Sequence, residues 1–284
     1  MNKVIACING ASNSTTVCDY AIWAAQRLQA PLEFLHVIEQ QPDRALIHDL
    51  SGSVGLGAQE ILLAELTQLD EQNSKIAEEQ AEKILEAALQ YSHSKGVDGA
   101  STRRRLGILA EVLLELQDDT RLVVLGQRPQ PGGVSRLTLD LNVERVVRSL
   151  QKPVLVATSK YTEPSHFAIA FDGSPTGCKM IERVAASPLL QNLPCHIITA
   201  GNPTSSGAQQ LEWARTTLAD AGFAVSVIQQ PGDAQTVLHS AISANHIDLL
   251  VMGAYGHSRI REFIVGSTTT TMLRTSPVPV LILR

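Results

Sequence analysis

The sequence predicts an α/β protein made of two like units in tandem. Three observations lead there. Apolar runs of strand length alternate with stretches of helical spacing. The whole order of elements occurs twice, which marks a duplication of one unit rather than a short-period solenoid. Local matches link the copies at the same points: Asn9-Gly10 with Asp172-Gly173, residues 122–126 with 249–253, and residues 152–156 with 278–282.

In the first copy, residues 4–8 read as a buried strand, and Asn9-Gly10-Ala11-Ser12 follows as a turn. Residues 14–29 show helical spacing, with Ala21, Trp23, Ala24, Ala25 and Leu28 available for burial. A second strand covers 32–38. Residues 39–58, with Gly52, Gly55 and Gly57, read as a surface loop, with a lid over a site as the alternative. One long Ala-, Leu- and Glu-rich helix covers 59–95. Then come a strand at 102–106, a helix at 110–117, a strand at 122–125, a helix at 141–149 and a fifth strand at 153–157.

The second copy starts with a strand at 167–171, followed by Asp172-Gly173-Ser174. Its helices fall at 176–188, 205–221, 234–245 and 267–275. Its further strands fall at 195–200, 224–228, 248–253 and 279–283. Strands alternating with helices predict two Rossmann-like units, each an open five-stranded parallel sheet flanked by helices. The units are expected at 1–158 and 165–284, with a short polar seam near 159–165, so that they pack together rather than float.

Composition narrows the function classes. The net charge is -5 and the pI about 5.9, so there is no general attraction to nucleic acid or to an anionic membrane. Arg103-Arg104-Arg105 is the densest basic cluster and reads as a solvated strand or loop end. No apolar run reaches the ~18 residues a bilayer span needs, and no signal peptide is apparent, which points to the cytoplasm. Cys7, Cys18, Cys178 and Cys195 are scattered, without a CxxC pair, so neither a zinc ribbon nor a thioredoxin-type site is signalled. No ligand-spaced histidine pair occurs; His36 and His48, near the long loop, read as core or surface residues.

The most informative stretch is GAYGHSRIREFIVGSTTTT, residues 253–271. Gly253 ends a strand, Gly256 lies in the loop after it, and Gly266 precedes the next helix. Ligands of open parallel sheets bind beyond the carboxyl ends of the strands, and glycine lets them approach the backbone. A helix starting at Ser267 offers free N–H groups and a positive dipole end, which suit a phosphate. Ser267, Thr268 and Thr269 add hydroxyls. Helix capping explains one hydroxyl and turn chemistry could explain the glycines. His257, Arg259 and Arg261 face either phosphates or water.

On these residues the chain resembles a tandem universal stress protein. The ATP-binding members of that family carry Gly, two residues, Gly, nine residues, Gly and Ser or Thr, a pattern matched by Gly253, Gly256, Gly266 and Ser267. Asp172-Gly173-Ser174 and Leu35-His36-Val37 also match family habits at their strand ends. The resemblance covers both halves. It implies that Asp172, with Gly173 and Ser174, meets the adenine side of ATP and that Ala200 lines the base pocket. It places Met252 and Gly253 under the ribose and α-phosphate. Gly256, His257, Gly266, Ser267, Thr268 and Thr269 would surround the phosphates. The resemblance further implies that residues 153–157 and 279–283 pair inside one chain as a pseudo-dimer, with a homodimer of such chains left open. Apart from the resemblance, Asp172 is a candidate to hold a nucleotide-bound Mg²⁺ through water.

The first copy lacks the pattern. Aligning Pro153 with Pro279 puts Asp140 at Gly266, and Leu141 and Asn142 at Ser267 and Thr268. Asn9 replaces the aspartate. Asp140 or Asn142 can cap the helix, and Glu144 in its first turn satisfies the dipole and repels a phosphate. The first copy is therefore expected to bind no ATP in the family's manner. No Walker A loop and no evident base for water occur. The expected function is ATP binding as a regulatory or sensing event. The alternatives are a slow ATPase and a nucleotide-independent scaffold.

Overall fold

The computed structural model describes residues 2–11, 14–39, 56–127, 141–202, 205–254 and 267–284. The first unit runs β1 (Lys3–Cys7), α1 (Ser14–Leu28), β2 (Leu32–Ile38), α2 (Leu56–Ser94), β3 (Ser101–Leu106), α3 (Leu109–Glu115), β4 (Thr120–Gly126), α4 (Leu141–Ser149) and β5 (Val154–Ala157). The second runs β6 (Phe167–Ala170), α5 (Pro175–Ala186), β7 (Cys195–Ala200), α6 (Ser205–Asp220), β8 (Val225–Gln230), α7 (Ala234–Ala244), β9 (Leu249–Gly253), α8 (Ser267–Thr275) and β10 (Val280–Leu283). The expected elements are all present, most with ends within a residue or two. The long helix starts at Leu56, inside the stretch read as loop; residues 40–55, including His48, lie outside the described residues.

The strands form one ten-stranded sheet in the order β3-β2-β1-β4-β5-β10-β9-β6-β7-β8. Each unit thus has the order 3-2-1-4-5, and all neighbours within a unit are parallel. The units meet where β5 and β10 pair antiparallel, with Leu281 opposite Leu155. This is the intramolecular pseudo-dimer. The chain leaves β1 towards one edge and returns to β4 on the other side. The crevice of each unit therefore opens at the carboxyl ends of β1 and β4, or of β6 and β9.

The central strands are buried on both faces and read as unbroken apolar runs; Val123, Val124, Leu155, Leu249, Leu250 and Val251 are fully buried. The outermost strands, β3 and β8, are mostly exposed, and the polar residues they carry, above all the arginines of β3, blunt the sheet edges. One apolar cluster lies on each face, and each contains side chains of both units.

Further contacts tie the units together. Arg27 on α1 donates to the Leu189 carbonyl at 2.5 Å and to that of Gln191. Tyr20 bonds the Thr162 backbone in the seam, and its ring meets Tyr161 edge-on at 4.8 Å. On the other face Arg284 donates to the Val147 carbonyl at 2.6 Å and to that of Arg148, at the carboxyl end of α4, where a cation suits the helix dipole.

The arginine cluster on β3 differs from its reading as a solvated strand end. Arg103 bonds both carboxylate oxygens of Glu33, which is 3% exposed, and Lys3 reaches the same carboxylate at 2.8 Å. Arg104 faces Glu78 and Glu82 on α2. A buried charge at the start of β2 is retained because two cations from neighbouring strands converge on it.

Candidate functional site

The carboxyl ends of β6, β7 and β9 bring the expected residues of the second unit to one edge. Phe171 continues the parallel pattern, its N–H donating to the Ile198 carbonyl at 2.9 Å, so Asp172 leaves the sheet directly at the switch point. Asp172 Oδ1 then accepts the Ser174 N–H at 2.9 Å, and the Ser174 hydroxyl accepts the Gly177 N–H at 3.0 Å, capping α5. Gly173 between them has φ +68, the left-handed region, and a Cβ there would also run into the Gln210 side chain.

The first unit makes the same turn. Asn9 Oδ1 accepts the Ala11 N–H at 3.1 Å, and Gly10 has φ +73. Turn formation therefore accounts for a side-chain oxygen at this position, whether it belongs to an amide or to a carboxylate. It does not account for the choice of a carboxylate over an amide at 172.

Ala200 ends β7 opposite Gln230, half-buried against the face of the sheet that α7 and α8 cover. Met252 (4% exposed) and Gly253 end β9 beside Ile282 and Leu283. α8 begins next to that end. The Thr269 hydroxyl, itself buried, donates to the Gly253 carbonyl at 3.0 Å and ties the first turn of the helix to the strand. Ser267 is exposed and Thr268 half-buried at the helix start, and no acidic residue lies in its first turn. Backbone N–H groups, hydroxyls and the dipole thus form an anion-accepting donor set. Gly256, His257, Gly266, Arg259 and Arg261 lie outside the described residues.

α4 and α8 are both nine residues long and start 126 positions apart, as do β5 and β10, so their residues align without a gap. At the matching place in the first unit, buried Val143 stands for Thr269 and Asn142 for Thr268. The Asn142 amide donates to the Glu39 carboxylate at 2.5 Å across the mouth of the crevice. Glu144, in the first turn of α4, is ion-paired with Arg148. The cavity left between Cys7, Asn9, Val37, Leu125 and Val143 measures about 50 Å³, room for a water or two.

Two residues of the second crevice escaped the sequence reading. Gly177 lets the Asp172 carboxylate lie against the first turn of α5, since a Cβ there would sit 2.8 Å from Asp172 Oδ1. Gln210 of α6 covers Gly173. A glycine three residues after a capping serine was the available signal for the first; the second gave none.

Among the described residues no group of three or more His, Cys, Asp or Glu side chains could hold a metal ion. All four cysteines are free. Burial pushes Cys195 up to about 12 and raises Cys7 and Cys178; Cys18 is pushed up to about 12 by burial and by the Asp19 charge. None of them is a thiolate nucleophile near neutral pH. His36 Nδ1 lies 2.8 Å from the Ile8 carbonyl, and burial lowers its pKa. No helix among the described residues is long and apolar enough to cross a membrane.

The geometry agrees with the comparisons to known proteins. A model of the universal stress protein family matches residues 1–158 and again 165–284. Universal stress protein Slr1230 of Synechocystis sp. is 33% identical over 287 residues, covering 100% of both chains. A solved universal stress protein from Archaeoglobus fulgidus superposes with a TM-score of 0.75 at 17% identity, covering 100% of this chain and 98% of that one. A further solved chain from Pseudomonas aeruginosa gives 0.64 at 18% identity, over 100% and 93%. These two structures speak for the fold; the duplicated family match and the full-length relative show that the chain belongs to the universal stress protein family, with two such units in tandem.

Proposed function

We propose that the second unit, 165–284, binds ATP at the carboxyl ends of β6, β7 and β9, as a regulatory or sensing ligand with little or no turnover. The observation that supports the reading is the contrast between two crevices built from matching elements of one chain. The turn after the first strand is the same in both, yet only the second has a carboxylate there. The helix start is tied to the strand end in the second, and its first turn is free of acid. In the first, Glu39 and Asn142 occupy the corresponding mouth, and Glu144 adds an acid to the first turn of α4. The first unit, 1–158, is accordingly the partner that binds no ATP.

The donor set fits ATP. Ser267, Thr268 and the α8 N-terminus would hold phosphate, Gly253 would lie beneath it, and Ala200 and Met252 would meet the nucleoside. Asp172 would receive hydroxyl or amino hydrogens. The phosphates supply most ligands of any Mg²⁺ that accompanies the nucleotide. Among the described residues of the crevice none is placed as a base towards water, which supports binding over hydrolysis.

The test is a thermal melt of wild type, Gly266→Asp and Thr268→Asp with and without Mg-ATP. Ligand at ~100 times its Kd adds ~2.7 kcal/mol, a rise of several degrees in a protein of this size. The rise is expected in wild type and lost in both variants. No rise at millimolar ATP, in protein stripped of carried-over nucleotide, overturns the reading and leaves a scaffold. ADP release that exceeds background and vanishes in Thr268→Asp turns it into a slow ATPase.

A further inference from the structure

We propose that a second cavity, between the two units, binds a small amphipathic anion: a hydrocarbon body carrying one carboxylate. The cavity measures about 340 Å³, a size and a location typical of small-molecule sites. That is roughly twice the ~150 Å³ of an apolar cavity that accepts benzene. It shares no residue with the ATP crevice.

Its walls come from both units. Leu122 of β4, Val184 of α5, Leu190 just beyond it, and Leu281 and Leu283 of β10 are all at least nine-tenths buried and apolar. Two cations join this lining. Arg121 donates through Nη1 to the Leu28 carbonyl at 3.1 Å, which holds its guanidinium at the wall. Arg183 comes from the last turn of α5. Among the described residues neither arginine is ion-paired with a carboxylate. An apolar body with an anionic head satisfies both features at once, because guanidinium groups pair bidentately with carboxylates.

The pseudo-two-fold of the sheet sharpens the argument. Strand register aligns Arg121 with Asp248, Leu122 with Leu249 and Pro153 with Pro279. At the related place the chain supplies its own occupants. Ser165 and His166 of the seam bond Asp248 Oδ2 at 2.6 to 3.1 Å, and Tyr161 packs onto the same core face beside Tyr20. One chain has one seam, so only one of the two related recesses is covered by it. The other carries arginine where the covered one carries aspartate, and so selects an anion.

The experiment is isothermal titration of the full chain with decanoate below its micellar concentration, on wild type, Arg183→Glu and Ala186→Trp. Both positions line the cavity but are exposed, so the variants are expected to melt like wild type. Wild type should bind one decanoate saturably. Arg183→Glu should weaken it by about tenfold or more, and Ala186→Trp should abolish it by filling the mouth. Absence of saturable binding in wild type overturns the proposal. So does undiminished binding in Ala186→Trp, which would place the fatty acid elsewhere, or in Arg183→Glu, which would remove the anionic selectivity.

Discussion

Glu33 shows how a single residue sets a local balance. Burial alone would raise its pKa, but hydrogen bonds from Arg103 and Lys3 outweigh that and leave it below the ordinary carboxylate value. A depressed folded-state pKa means that ionised Glu33 stabilises the fold above the unfolded value of about 4.3, and that this contribution disappears as pH falls through the folded value. Glu33→Gln keeps the shape and one acceptor but loses the charge. It should cost about 1–3 kcal/mol at pH 7, and the gap to wild type should narrow below about pH 4.5. Urea titrations of both proteins at pH 7 and pH 4 measure this. A gap that stays constant would mean that the ion pairs contribute nothing beyond packing.

At the scale of elements, the start of α8 is the point where strand, helix and site meet. Thr269 donates to Gly253, whereas Val143, of nearly the same shape, stands at that place in α4. Thr269→Val should therefore fold, at a cost of about 1 kcal/mol, and, if the second unit binds ATP as proposed, should lower the thermal shift with Mg-ATP because the helix end is less firmly placed. An unchanged shift would show that the bond serves only the fold. The same comparison explains what was readable beforehand. The buried parallel strands announce themselves as apolar runs, and the turn residues Asn9-Gly10 and Asp172-Gly173 mark where they end. What the sequence does not reveal about Thr269 is its structural bond: its hydroxyl proton goes to a backbone carbonyl 16 residues earlier. Gly177 and Gln210 were not readable, because their importance comes from what lies opposite them in space. The pairing of Arg103 with Glu33, 70 residues apart, was hidden for the same reason.

The whole molecule is one sheet with a core on each face, and both cores cross the joint between the units. That joint is short. It is a pairing of residues 154–156 with 280–282, yet Leu155 and Leu281 are buried there among side chains of both halves. Two units that share both cores should not unfold independently. Leu155→Ala removes a fully buried side chain at the joint and should cost about 2–5 kcal/mol. If the cores are truly continuous, calorimetry will show one transition in wild type and one in the variant, shifted down by several degrees as a whole. Two separable transitions, with only one of them moved, would mean that the antiparallel joint merely tethers two independent folds.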